Sequence, residues 1–182
     1  MPRYVAFLRA INVGGAHIVR MTTLCRAFEA MGFSEVSSYI ASGNIIFTSR
    51  VRDVGKLEDR IEEGLMRALG HEVTPFVRAL PDLARIAAFQ PFPPARIAAS
   101  DQLGVIFLAG PLDAETTEAL MALQAPTDEF RVAGAEIYWL RHRGAGGEVY
   151  STAPFDKILD QPFTIRSAGT VNKIVEKYQQ NG

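Results

Sequence analysis

The stretch YVAFLRAINVGG, residues 4–15, places a short apolar run directly before a polar loop that contains two glycines. Residues 4–9 have apolar side chains on both faces of a strand, which is typical of a strand covered on both sides. Arg9 ends this strand, and the loop that follows extends to about residue 21. This strand is the first of a series that indicates the fold.

Periodic patterns of apolar residues predict six further elements in the first half of the chain. Residues 41–43 have the length of a hairpin connection, and Gly43 supplies the positive φ that such a connection uses. Thr22 or Thr23 is the expected cap of the first helix, and Asp53 that of the second. The predicted elements are a helix over residues 22–33, strands over 35–40 and 44–49, a helix over 53–70, an edge strand over 73–79 and a short helix from Pro81.

This order of elements, β-α-β-β-α-β, predicts an α+β fold with a ferredoxin-like first subdomain over residues 1–90. In the sheet order 4-1-3-2 of that arrangement, the loop after strand 1 and the hairpin between strands 2 and 3 emerge at the same end. Two polar turns that are far apart in sequence should therefore lie close together in space. They contain Arg9, Asn12, Gly14 and Gly15 in the first turn, and Ser42, Gly43 and Asn44 in the second.

The second half of the chain is expected to form a smaller α+β subdomain over residues 102–182, after a proline- and alanine-rich linker over residues 91–101. Its pattern predicts a strand, a capped helix, a hairpin around Gly134, a short helix and a C-terminal helix. Residues 143–148 are rich in glycine and indicate an exposed loop. The sequence shows no convincing tandem repeat, although both halves begin with strand, helix and hairpin.

Composition excludes several classes of function. The formal net charge is −1 and the isoelectric point about 6.3, so the overall charge does not favour nucleic-acid binding, although a local cluster of arginines is compatible with it. Cys25 is the single cysteine, which excludes an intrachain disulfide, and its place beside an apolar stripe favours a small buried hydrophobe over a nucleophile. Neither a signal peptide nor an apolar run of about 20 residues is present. We therefore expect a cytoplasmic protein that does not enter membranes.

The motifs of common cofactor and metal sites are missing. The sequence contains no phosphate-binding loop of the Walker type, no dinucleotide-binding glycine motif, no paired zinc histidines and no nucleophile elbow. The three histidines, His17, His71 and His142, are far apart and lack cysteine partners. We therefore expect no cofactor and no metal.

Three clusters could carry chemistry, and each also has a purely structural interpretation. Arg9 with Asn12, Gly14 and Gly15 could bind an anion through a guanidinium fork and backbone N–H groups, or the arginine could pair internally while the glycines form a turn. Ser42, Gly43 and Asn44 could contact the same ligand or form an ordinary hairpin. The third cluster precedes or opens the last helix, whose positive end favours an anion, or it is simply a capped helix start with Thr170 as the cap. It contains Arg166, Thr170 and Lys173.

The segments FLRAINVGG (7–15), IVRMTTLCRAFEAMGF (18–33) and SYIASGNIIF (38–47) together resemble the N-terminal signature of a bacterial family called domain of unknown function 1697. The resemblance continues through VRAL at residues 77–80 to the helix that ends near residue 90. The family typically closes with T-x-R-N-W-N-T-V-x-K-L, where this chain has TIRSAGTVNKI (164–174), so Ser167, Ala168 and Gly169 replace Asn-Trp-Asn. The resemblance implies a two-part α+β fold and marks the ten residues of the three clusters as motif positions, but it implies no reaction.

The favoured hypothesis is that a small anionic ligand, bearing phosphate or carboxylate, binds in a cleft between the two subdomains. Whether the protein is an enzyme stays open, since only His17 stands near the motif as a candidate base. One alternative is an RNA-binding module that stacks bases on strand aromatics. Another is a protein-interaction domain that pairs through the edge strand containing Pro75. The sequence does not indicate an oligomeric state.

Overall fold

The structure, a computed structural model, describes residues 1–9, 11, 19–142 and 153–179. The chain divides into two compact units. Unit 1 contains Met1–Ile86 together with Ile174–Gly182, and unit 2 contains Ala87–Lys173. Both combine helices with a four-stranded antiparallel sheet, which confirms the predicted α+β class.

The strand order of the first sheet is the one that the sequence predicted. It is β2-β3-β1-β4, with β1 paired antiparallel to both β3 and β4, which is the order 4-1-3-2 read from the other edge. The elements between residues 3 and 88 are β1 (Arg3–Leu8), α1 (Met21–Ala30), β2 (Ser34–Ser38), β3 (Asn44–Thr48), α2 (Val54–Leu69), β4 (Pro75–Ala79) and α3 (Leu80–Ala88).

The core of unit 1 lies between one face of this sheet and helices α1 and α2. Alternate residues of β1 and β3 face the helices, as the two-residue period of a strand requires. Tyr4 pairs with Phe47 across the sheet, and the Phe47 ring is 4.5 Å from that of Phe33 and 5.4 Å from that of Phe28. The buried side chains that complete this core include Ala6, Leu8, Leu24, Ile45, Leu57, Ile61 and Leu65.

The ends of the helices follow the predicted signals in one case and depart from them in another. Asp53 caps α2, since its Oδ1 accepts a hydrogen bond of 3.2 Å from the Lys56 N–H, and Gly70 ends the same helix at a φ of 77°. For α1 the predicted cap at Thr22 or Thr23 is wrong. Helix α1 already begins at Met21, so both threonines lie inside its first turn, and Arg20 occupies the cap position without a side-chain hydrogen bond.

Unit 2 repeats the topology of unit 1. Its sheet has the order β6-β7-β5-β8, so β5 is paired on both sides in the way that β1 is. The sequence pattern does not predict the fourth strand, β8. It indicates that these residues belong to the segment just before the last helix. The elements after residue 93 are α4 (Pro94–Ala99), β5 (Gln102–Leu108), α5 (Ala114–Met121), β6 (Asp128–Ala133), β7 (Glu136–Arg141), α6 (Ala153–Ile158), β8 (Phe163–Ser167) and α7 (Ala168–Gln179).

Aromatic side chains dominate the core of unit 2. The Trp139 ring meets the Phe155 ring edge to face at 4.7 Å, and its Nε1 donates a 2.8 Å hydrogen bond to Asp128 Oδ1. Phe130 stacks on the other side of this group, with its ring 6.1 Å from that of Trp139. Ile106, Leu108, Leu120, Ile137, Leu159 and Phe163 complete this core.

The unit boundaries differ from the predicted ones in two places. The proposed linker over residues 91–101 contains helix α4. The end of α7 is counted with unit 1, where Arg3 Nη1 donates to the Tyr178 carbonyl at 2.9 Å and Ser37 Oγ donates to the Tyr178 hydroxyl at 3.2 Å. The predicted loop over residues 143–148 lies outside the described residues.

In the described part of the chain, no helix combines the length and the apolar character needed to span a membrane.

The half-buried carboxylate of Glu58 on α2 lies against the edge strand β4. Its Oε1 accepts a hydrogen bond of 2.7 Å from the backbone N–H of Val77. Burial raises the pKa of Glu58, and this effect outweighs the opposing effects of the Val77 hydrogen bond and the Arg78 charge. A raised pKa in the folded state means that this carboxyl supports folding fully only while it is protonated.

We expect Gly43→Ala to destabilise the protein more than Gly70→Ala does. Both glycines have a left-handed φ, 72° and 77°, so each substitution costs about 1–2 kcal/mol of backbone strain. A Cβ at residue 43 would also lie 3.1 Å from Ile11 Cβ and 3.2 Å from Leu8 Cβ, whereas a Cβ at residue 70 meets nothing within 4 Å. The crowding should add roughly 1–3 kcal/mol, measured by urea unfolding. Equal losses for the two variants would contradict this packing.

We expect Glu58→Gln to gain stability relative to the parent protein as the pH rises from about 4 to about 7. The amide oxygen still accepts from the Val77 N–H, but the variant carries no buried charge at neutral pH. The variant therefore keeps the free energy of unfolding that the parent protein loses as Glu58 ionises. Urea midpoints measured across this range would show it, with Glu63→Gln, an exposed position on the same helix, as the control for net charge. Parallel pH profiles for parent and Glu58→Gln would contradict the prediction.

Candidate functional site

The end of β1 packs against the connection between β2 and β3. The Leu8 N–H donates a 2.8 Å hydrogen bond to the Gly43 carbonyl, and Phe7 pairs with Asn44 in the ladder. Gly43 is buried, and Leu8 and Ile11 leave no room for a side chain there. The two turns that the topology predicted to be neighbours therefore do meet at Leu8, Ile11 and Gly43. Asn12, Gly14, Gly15 and His17 lie outside the described residues.

Arg9 stands at this junction. Its backbone N–H donates a 2.9 Å hydrogen bond to the Thr74 carbonyl, just before β4 begins. The residue is partly buried and directly follows Leu8, which contacts Gly43. Its backbone is thereby held between the lead into β4 and the β2–β3 connection. The sheet thus holds the backbone of Arg9, the residue that carries a guanidinium group, at this end of unit 1.

Asn44 holds the β2–β3 connection closed. Its buried side-chain amide donates to the Tyr39 carbonyl and to Ser42 Oγ, both at 2.9 Å. The backbone carbonyl of Asn44 accepts from the Tyr39 N–H, also at 2.9 Å. The structural interpretation of this cluster as a hairpin connection thus accounts for Asn44 and Gly43. Ser42, which is partly exposed, is the member of the cluster with access to solvent.

Arg166 belongs to unit 2, on strand β8 opposite Val105 of β5. Its Nη1 donates to Thr164 Oγ1 and to the Ile165 carbonyl, both at 2.8 Å. Burial lowers the pKa of Arg166 to about 10, so the guanidinium is still a cation at neutral pH. The positive charge is therefore partly withdrawn from water two residues before the last helix begins.

Ser167 caps helix α7. Its Oγ accepts a 3.1 Å hydrogen bond from the Thr170 N–H and lies 2.9 Å from the Thr170 hydroxyl. The expectation of a capped helix start is therefore correct, but the cap is Ser167 rather than Thr170. Serine and asparagine are both favoured caps, so Ser167 preserves the role that the family's asparagine would have. Lys173, further along the same helix, is exposed.

The spacing Ser-x-x-Thr at residues 167–170 was the signal for this cap. It places a hydroxyl acceptor three residues before a backbone N–H at the start of a helical pattern. The position of this segment before the last helix indicates Arg166, Thr170 and Lys173 as candidate residues instead, and Ser167 is a position where the chain departs from the family pattern. The residue that departs from the pattern is therefore the one that fixes the helix start.

The remaining reactive groups do not assemble into a catalytic centre within the described residues. Burial raises the pKa of the Cys25 thiol, which disfavours the thiolate that a nucleophile requires. His142 Nε2 lies 3.4 Å from Glu129 Oε1, and the same carboxylate pairs with Arg96 at 2.7 Å. In the described ranges no three His, Cys, Asp or Glu side chains are grouped to hold a metal ion.

Among solved structures, the chain is similar to the conserved bacterial protein SP0830 from Streptococcus pneumoniae. The TM-score is 0.73 at 24% sequence identity, and the match covers 98% of this chain and 99% of that one. At this identity the similarity establishes the shared fold. It extends over both units, so the two-sheet architecture is not particular to this chain.

The curated proteins contain no sequence match to this chain. A family model does match it over residues 1–138, and that family is described as a protein of unknown function (DUF1697). The matched range includes the Arg9 turn and the β2–β3 connection and ends within β7. It covers well over half of the sequence, and the chain therefore belongs to the DUF1697 family.

Proposed function

We propose that this protein binds a small anionic ligand, bearing phosphate or carboxylate, at the end of β1 in unit 1. The observation that supports the proposal is the contact between the end of β1 and the β2–β3 connection, made by the Leu8–Gly43 hydrogen bond of 2.8 Å. This contact brings two polar turns with cationic and hydroxyl groups to one end of the sheet. Convergent polar groups supported by a rigid scaffold are the usual form of a small-ligand site.

In this proposal Arg9 is the principal anion contact. A guanidinium can donate two parallel hydrogen bonds to a carboxylate or phosphate, and such charge-assisted bonds are about twice as strong as neutral ones. Asn12, Gly14 and Gly15 would contribute an amide and backbone N–H groups from the loop that follows. Ser42 would donate its hydroxyl from the neighbouring connection, while Gly43 and Asn44 keep that connection in position.

The segment with Arg166, Thr170 and Lys173 is proposed as a second group of anion contacts, on unit 2. Arg166 keeps its charge at neutral pH, and the first turn of α7 carries the partial positive charge of a helix N-terminus. Lys173 adds an exposed ammonium group on the same helix. Because this segment belongs to the other unit, its contribution is tested separately below.

No observation favours the two alternative functions. The strand aromatics that would stack RNA bases, Tyr4, Phe7 and Phe47, are at most 2% exposed. The edge of β4 that would pair with another protein has the Val77 N–H already bonded to Glu58. Neither feature presents the free aromatic face or free strand edge that these functions use.

We expect Arg9→Ala to abolish most of the stabilisation by an anionic ligand. A ligand at about 100 times its Kd stabilises the folded state by about 2.7 kcal/mol, or roughly 5–10 °C in Tm for a chain of this size. Loss of a charge-assisted pair should weaken binding about tenfold to hundredfold. Thermal-shift measurements against sugar phosphates, nucleotides and organic acids would identify the ligand in the parent protein and the loss in the variant.

Arg26→Ala, an exposed arginine on α1, is the matched control and should keep the full ligand-induced shift. Arg9→Lys should retain part of it, because the charge stays but the paired donors are lost. A ligand-induced shift as large in Arg9→Ala as in the parent protein would overturn the proposal.

We expect Lys173→Ala to weaken binding of an anion by the Arg166 segment about two- to fivefold, since an exposed charge contact contributes up to about 1 kcal/mol. Its Tm without ligand should stay close to that of the parent, as is usual for exposed positions. Titration calorimetry with the ligand found in the screen would measure the change, with the exposed Lys157→Ala as control. Identical affinities for the two variants would contradict anion binding by the Arg166 segment and leave the Arg9 assignment intact.

A further inference from the structure

A polar cavity of about 400 Å³ lies at the opposite end of β3 from the Arg9 turn, entirely within unit 1. β3 begins at Asn44, beside the Arg9 turn, and ends at Thr48, beside this cavity. The residues that give the cavity its chemistry are Ser34, Thr48, Ser49, Arg50 and Arg60. We call this group the hydroxyl pocket.

The hydroxyl groups of the pocket are partly used by one another. Ser34 Oγ and Thr48 Oγ1 lie 3.1 Å apart, and the Thr48 hydroxyl donates to the Ser34 carbonyl at 3.1 Å. Ser49 differs, since its Oγ accepts from the Val51 N–H at 3.1 Å but donates to no group that the structure describes. Ser49 is only 7% exposed and lines the cavity, so its hydroxyl has a hydrogen left to donate beside this space. Buried donors of this kind are costly unless something accepts from them.

Two guanidinium groups complete the lining. Arg50 is exposed and forms no ion pair within the described ranges. Arg60 donates one N–H to the Met31 carbonyl and lies 5.2 Å from the centre of the Phe33 ring, which leaves it further donors. The neighbouring carboxylate, Glu35, is held by Arg3 at 2.9 Å. The pocket therefore has positive charge and hydroxyl groups, the combination that suits a phosphate group.

A second cavity of about 380 Å³ shares Arg60 with the hydroxyl pocket. Small residues of α1 and α2 line most of it, namely Ala27, Ala30, Gly64 and Ala68, together with Met31 and a second arginine, Arg67. It offers space for an organic group next to the arginine that would hold the anion. Each cavity has the size of a small-molecule site rather than of a macromolecular interface.

We propose that the hydroxyl pocket binds the phosphate group of a small phosphate monoester, held by Arg50, Arg60 and the Ser49 hydroxyl, with its organic group in the cavity on the other side of Arg60. This site is separate from that of the proposed function. It uses none of the same residues and lies at the other end of the same strand.

The test is an NMR titration of the ¹⁵N-labelled full chain with phenyl phosphate, inorganic phosphate and phenol. Phenyl phosphate should shift the amide resonances of residues 49–51 and bind several-fold more tightly than inorganic phosphate, and phenol should not shift these resonances. Arg50→Ala should weaken binding of phenyl phosphate about tenfold or more, the effect of losing a charge-assisted hydrogen bond. Ser49→Ala should weaken it without removing charge.

Arg52→Ala, an exposed arginine two residues away that does not line the pocket, is the matched control and should leave binding unchanged. Arg9→Ala should also leave the shifts of residues 49–51 unchanged, which separates this site from the proposed anion site on β1. The inference is overturned if phenyl phosphate leaves residues 49–51 unmoved, if phenol shifts them equally, or if phenyl phosphate and inorganic phosphate bind with the same affinity. It is also overturned if Arg50→Ala and Arg52→Ala weaken binding by the same amount.

Discussion

The architecture of unit 1 depends on β1 being hydrogen-bonded along both edges and buried on both faces. Every residue from Tyr4 to Leu8 is at most 2% exposed, and the strand is paired with β3 on one side and β4 on the other. A strand in this position cannot carry polar side chains along its length without leaving them unsatisfied. Polar groups can therefore emerge only at its ends. Arg3 occupies one end, bonded to Glu35 and to the Tyr178 carbonyl, and Arg9 occupies the other.

The same constraint explains why both proposed sites lie where strands end. At the Asn44 end of β3, a glycine with a left-handed φ lets the chain turn so tightly that Leu8 and Ile11 pack directly on it. At the Thr48 end, the strand finishes in hydroxyl residues that the sheet buries without pairing all of their donors. The first arrangement positions a cation beside a turn. The second places a buried serine hydroxyl at a cavity that two arginines also line. Both sites therefore lie at the ends of strands whose middle residues are buried, but they offer a ligand different functional groups.

The two units share one strand order, but their chemistry is not repeated. The position after β5 that corresponds to Arg9 is Ala109, and the next residue, Gly110, donates its N–H to Gln161 Oε1 at 3.0 Å. In unit 2 the cationic residue stands instead on the fourth strand, as Arg166. The two units have the same topology but different polar residues, and this explains why the sequence contains no recognisable tandem repeat. The topology depends on apolar spacing, which many sequences satisfy, whereas each site depends on single residues.

The amino-acid sequence alone was enough to predict the α+β class, the strand order of unit 1 and the approach of the end of β1 to the Gly43 connection. The local signals are the period-two apolar runs, the short connection at residues 41–43, and the helix ends at Asp53 and Gly70. Together they favour one compact arrangement of the six elements. Three features could be seen only in the tertiary structure. Residues 163–167 form a strand, Ser167 caps α7, and Ser49, Arg50 and Arg60 line one cavity. Residues 163–167 complete a sheet whose other strands are distant in sequence, and Arg60 lines the same cavity as Ser49 only once α2 has packed against α1 and β4. Such groupings depend on contacts between distant parts of the chain, which local residue patterns do not encode.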